Sequence, residues 1–123
     1  MCAVHAVPGC VKITYLNESF DSIEVHWDVP DKPNGVITQY VINYTEPGGI
    51  TLNVTTSNTS CILQSLEPCT SYNITVAAET KVGVGEVSGC PLSAASAKTI
   101  IISENYYHCT QTNSFTHLLL NTL

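Results

Sequence analysis

Four histidines, six cysteines and five Asn-x-Ser/Thr triplets are the residues of this 123-residue chain that could do chemistry. A nucleophilic triad needs a serine, threonine or cysteine beside a histidine that a carboxylate orients. His5, His108 and His117 fall in the flanks, and only His26 lies in a strand-like run, on its outward side. Catalytic residues are therefore not expected. The chain has no GxSxG, GxGxxG, Walker or HExxH motif, and Gly83-Val84-Gly85 lacks the following helix that would cradle a phosphate, so no cofactor is expected. Cys2, His5, Cys10, His108 and Cys109 could gather round a metal only if the termini met, and their spacing fits no CxxC or HxxxH framework. A metal site is not expected either. Glu24, Asp28, Glu67, Glu79 and Glu86 are read as solvated charges rather than as an apposed acid/base pair.

The cysteines, at 2, 10, 61, 69, 90 and 109, are even in number in a short chain, which is the arithmetic of an oxidised extracellular domain; buried free thiols are the alternative. Asn17, Asn43, Asn53, Asn58 and Asn73 each head a glycosylation triplet and point to the same compartment. Their expected positions suit glycans that must project into water, with Asn43, Asn53 and Asn73 outward on strands and Asn17 and Asn58 in turns.

The elements that must position these groups follow from composition and period. Hydrophobic residues make up 44% of the chain and charged residues 11%. The charged share is well under the roughly 25% of ordinary globular proteins, and the composition excludes a charge-rich disordered chain. Four basic and ten acidic residues give a net charge of −6, which leaves no basic face for nucleic acid. No run approaches the roughly 18 apolar residues of a membrane helix, and Met1 to Pro8 lacks the charged and apolar regions of a secretion signal. The length suits one domain plus flanks, expected to be part of a longer multidomain protein.

Short β-branched runs of period 2 recur between turn signals, which predicts an all-β sandwich of seven antiparallel strands. They are Val11 to Leu16, Ser22 to Asp28, Thr38 to Thr45, a fourth marked by Ile50, Leu52 and Val54, and a fifth by Cys61, Leu63 and Leu66. A sixth carries Tyr72, Ile74, Val76 and Ala78, and the seventh runs from Leu92 to Thr99. Trp27, Tyr40, Leu66 and Tyr72 are the expected core landmarks, with the Tyr72 hydroxyl placed to reach back to backbone near the turn before it. Pro30 to Gly35 and Gly83 to Gly85 read as loops.

In order along the chain stand VHWDVPDKPNG with the single Trp27 on the second strand, QYVINY on the third, LEPCTSY at a turn, and YNITVAAETKVGVGEVS. From about Val7 to Thr99 the chain thus resembles a fibronectin type III domain. An immunoglobulin domain would instead carry its tryptophan on the third strand and a cysteine where Ile74 stands. The resemblance implies a seven-stranded immunoglobulin-like sandwich, between a flank at 1–6 and a tail at 100–123 whose lack of period predicts flexibility. It also implies a non-enzymatic protein-binding or spacer module of an adhesion or receptor ectodomain, receptor tyrosine phosphatases included. An accessory module of a secreted carbohydrate-active enzyme is the alternative, and the five triplets favour the ectodomain.

On that fold, Cys10, Cys61 and Cys90 fall at the pole where the chain enters, and Cys69 and Cys109 on the side where it leaves. A Cys69–Cys109 bond is expected, with one more within the set Cys2, Cys10, Cys61 and Cys90. Loops on a rigid scaffold are where binding usually resides, so Asp31, Lys32, Asn34, Lys81, Val82 and Val84 are the candidate contacts for a protein partner. Plain turns in a spacer are the competing reading.

Overall fold

A computed structural model describes residues 6–100. Cys2, His5, His108, Cys109, His117 and the expectations for the tail beyond Ile100 lie outside the described residues. Eight short strands form two antiparallel sheets: β1 (Lys12–Glu18), β2 (Ile23–Asp28), β3 (Gln39–Thr45), β4 (Thr51–Thr56), β5 (Ser60–Leu63), β6 (Ser71–Thr80), β7 (Gly83–Val84) and β8 (Ala94–Lys98). One sheet has the order β1-β2-β5; the other has β4-β3-β6, with β7 and β8 both along the far edge of β6. Strand direction puts the β2–β3, β4–β5 and β6–β7 connections at the pole where the chain enters, here the N-terminal pole. The β1–β2, β3–β4 and β5–β6 connections lie at the opposite, C-terminal pole.

Alternation builds the core. Ile23, Val25 and Trp27 on β2 and Leu63 on β5 meet Tyr40 and Ile42 on β3 and Tyr72, Ile74, Val76 and Ala78 on β6, all buried. Trp27 and Tyr40 pack edge to face, with ring centroids 5.4 Å apart, a favoured aromatic geometry. In β1 the register shifts between Ile13 and Tyr15. This bulge explains how Ile13 and Leu16, three residues apart, both pack on the core when strict alternation would send one of them outward.

Several strands differ from the sequence expectation. The seventh begins two residues late, because Pro91, Leu92 and Ser93 form a 3-10 turn; Pro91 lacks the N–H that a ladder needs. Gly83 and Val84, expected in a loop, pair with Thr80 and Glu79 and so extend the sheet. Leu66 is buried but lies beyond the end of β5. Ile50 and Leu52 are 76% and 46% exposed; Ile50 precedes β4, and β4 is an edge strand. Asn17 lies within β1 rather than in a turn.

The β5–β6 connection is fixed by Tyr72, whose hydroxyl accepts the Glu67 backbone N–H at 2.9 Å and donates to Glu46 Oε1 at 3.4 Å. Burial pushes the phenols of Tyr40 and Tyr72 above the usual tyrosine range; for Tyr72 the N–H from Glu67 works the other way, and the Glu46 charge adds to the rise. A raised phenol keeps its proton in the folded state at a pH where the unfolded chain has lost it. Stability is therefore expected to hold up to about pH 10. It should decline as pH climbs through the raised values, as read by urea midpoints across alkaline pH. At neutral pH, Tyr72→Phe strands the Glu67 N–H and should lower stability by about 1–3 kcal/mol in the same assay.

Candidate functional site

At the N-terminal pole the β2–β3 connection and the β6–β7 turn meet over a strap formed by residues 7–10. Gly9 N–H donates to the Lys32 carbonyl at 2.8 Å, and Asn34 Nδ2 donates to the Val7 carbonyl at 2.9 Å. A Cβ at Gly85 would stand 2.5 Å from the Pro8 carbonyl oxygen, so only glycine lets the strap lie this close. Cys10 and Cys90 then bond covalently, with Cα atoms 5.5 Å apart. On the far side of the loops, Thr38 N–H and Oγ1 both donate to the Glu79 carbonyl, at 2.8 and 3.1 Å.

Between the two connections opens a concavity of about 310 Å³ lined by Asn34, Gly35, Val36, Thr38, Thr80, Lys81 and Val82. Val36 is 82% exposed, and Val82 and Val84 are 42% and 44% exposed. Thr38 and the buried Thr80 bring hydroxyls to the lining, Val36 and Val82 bring exposed apolar surface, and Lys81 brings a cation. The arrangement offers an apolar contact edged by hydrogen-bond groups and a cation, which suits a protein surface. Among the described residues no three His, Cys, Asp or Glu side chains cluster to hold a metal.

Of the sequence candidates, Asn34, Lys81 and Val82 line this concavity, while Asp31, Lys32 and Val84 stand outside its lining. Val36 is not among the sequence candidates; an apolar residue directly after the Asn34-Gly35 turn signal, outside any period-2 run, is the signal that could have found it. His26 sits on the outer face of the other sheet, its Nε2 2.7 Å from Glu24 Oε2 and its ring edge-on to Tyr15. Glu24 is thus not a merely solvated charge. Nor is Glu79, which lies on β6 and accepts Gln39 Nε2 at 2.8 Å.

The Cys10–Cys90 bond falls within the expected set. Cys61 does not take part: it is a free thiol, set mid-sheet opposite Val25 and half-buried against the core, and burial pushes its thiol up. Cys69 is disulfide-bonded, and Cys109, the partner expected for it, lies outside the described residues. Asn43, Asn53 and Asn73 share the outer face of β4-β3-β6, with Asn43 directly opposite Asn53 and Thr75, and Asn73 opposite Thr45. Asn43 is half-buried there and the other two are exposed; Asn58 is exposed in the β4–β5 turn and Asn17 on β1.

Two antiparallel sheets over one aromatic-centred core define an immunoglobulin-like sandwich module. The chain belongs to the fibronectin type III domain family, which matches residues 7–90. It is 32% identical over 93 residues to the rat phosphatidylinositol phosphatase PTPRQ, covering 76% of this chain and 4% of that protein. It is 39% identical over 88 residues to the chicken ephrin type-B receptor 2, covering 68% of this chain and 9% of that protein. Domains d3-d4 of the rat CD45 extracellular region share the fold, with a TM-score of 0.66 at 22% identity over 76% of this chain and 51% of that one. The chain thus spans under a tenth of the length of these two sequence relatives.

Replacing Cys10 and Cys90 together by serine opens a loop closed across 80 residues of sequence. The variant is expected to lose about 2–5 kcal/mol in a denaturant titration.

Proposed function

We propose that this chain is a non-enzymatic protein-binding module of a receptor or adhesion ectodomain, running from Val7 to Thr99 and making contact through its N-terminal pole. The observation that carries the reading is the concavity between the β2–β3 and β6–β7 connections. Its apolar rim of Val36 and Val82 is exposed on loops that the strap and the disulfide hold in place. Exposed apolar side chains on a preorganised surface lose little entropy on docking. The Cys10–Cys90 bond and the relatives' receptor context support an extracellular setting, with a receptor-phosphatase-like parent as the finer assignment.

Glycans at Asn43, Asn53 and Asn73 would cover the outer face of β4-β3-β6, so the same reading assigns that face to shielding rather than contact; Asn58 lies at the N-terminal pole but outside the lining of the concavity. Asn58 and Asn17 complete the modified set. The chain secreted from eukaryotic cells behind an added signal is expected to lose the mass of at least three glycans on N-glycosidase treatment. Tetramerised and applied to intact cells, it should bind roughly tenfold more weakly once Val36→Ser and Val82→Ser are introduced. Equal binding by that variant would overturn contact through this pole, and no binding by the unmodified chain would reduce the module to a spacer.

A further inference from the structure

We propose a second docking site at the C-terminal pole, a cleft that takes a lysine- or arginine-bearing extended segment of another protein. The cleft lies between the β3–β4 turn and the β5–β6 connection. It has a volume of about 310 Å³ and is lined by Tyr44, Glu46, Ile50, Leu52, Gln64, Ser65, Leu66, Glu67 and Tyr72. That is the small end of ligand-pocket sizes, roughly 300–1,000 Å³, and suits one long side chain with an aliphatic neighbour rather than a cofactor.

One part of its wall is apolar and open. Ile50 and Leu52 are the exposed residues that β4 fails to bury, and the half-buried Tyr44 ring lies 6.4 Å from Tyr72 by ring centroids. Its charge has one sign. Glu46 and Glu67 contribute two carboxylates and no lining residue is Lys or Arg. Among the described residues neither carboxylate has an ion-pair partner, since the one pair present joins His26 and Glu24. A guanidinium or ammonium between these carboxylates would gain charge-assisted hydrogen bonds while its methylenes lie on Ile50 and Leu52 and its head meets the Tyr44 ring.

The cleft is also preformed. Glu46-Pro47-Gly48-Gly49 closes with Gly49 N–H on the Glu46 carbonyl at 2.9 Å, and Gly48 has φ 75°, as a type II turn with proline second and glycine third requires. A Cβ at Gly49 would fall 2.6 Å from Glu46 Cγ, so the missing side chain is the space in which the Glu46 stem is folded. Tyr72 holds the Glu46 carboxylate from the other side and fixes the Glu67 backbone. The site does not depend on the loops at the N-terminal pole, and none of its lining residues heads a glycosylation triplet.

The test is an NMR titration of the full isotope-labelled chain with a capped Leu-Arg-Leu peptide, against Leu-Gln-Leu and Leu-Glu-Leu. Amide shifts are expected at Tyr44, Glu46, Ile50, Leu52 and Ser65 to Glu67, with affinity roughly tenfold lower for the glutamine peptide and in a Glu46→Gln, Glu67→Gln variant. Ile50→Ser, at an exposed position that leaves folding intact, should weaken the arginine peptide as well. Equal response to the three peptides, shifts centred elsewhere, or no shift with millimolar peptide would overturn the site.

Discussion

The edge-to-face contact of Trp27 with Tyr40 is the join on which the rest of the molecule depends. It couples the two sheets at the centre of the core, and it also stands at the base of a loop, because Trp27 is next to last on β2 and Tyr40 is second on β3. The connection from Val29 to Thr38 therefore leaves and re-enters the sandwich at two rings that touch each other. Its tip can carry Val36 in solvent because its feet are set by the core. The same aromatic pair that satisfies the hydrophobic demand of the fold sets the position of the loop that carries Val36.

The two poles are built by different means. At the N-terminal pole the backbone of residues 7–10 is drawn over the loops by hydrogen bonds, a glycine approach and a covalent bond, so order comes from outside the loops themselves. At the C-terminal pole the side chain of Tyr72 organises the surroundings from within, with Thr99 adding bonds to Glu67 and Thr70 that tie the last strand to the same connection. Each pole presents apolar side chains that a fully covered sandwich would have buried. Ile50 and Leu52 stay exposed at the start of the edge strand β4, beside the cleft they share with Gln64 to Glu67.

Period 2 made most of the fold legible in the sequence, because Trp27, Tyr72 and Ile74 sit between polar neighbours and Tyr40 and Ile42 recur at the same spacing. What stayed hidden depends on partners distant in the chain. Nothing local says that Gly83 and Val84 will find Glu79 and Thr80, or that the start of β4 will face open space. The bulge in β1 carries Asn17 into a strand that a simple count ends at Leu16. Cys61 reads like its fellow cysteines until β5 is set in register with Val25, which turns the thiol toward the core and away from any partner at the pole. For the candidate site, loop chemistry located Asn34, Lys81 and Val82, whereas Val36 becomes visible only when two loops 45 or so residues apart are seen to share a wall.

The Cys10–Cys90 bond also changes how the module would carry load. Tension applied between Gly9 and Ile100 enters at Cys10, crosses the disulfide to Cys90 and leaves through the 3-10 turn and β8. The strands from β1 to β7 lie inside a covalent ring that bypasses 80 residues of chain. Only the ten residues from Pro91 to Ile100 can be drawn out, at roughly 3.5 Å each, and the core around Trp27 is spared the pull. For a pull between Gly9 and Ile100, a sandwich closed this way is a link of nearly fixed length over the residues inside the ring.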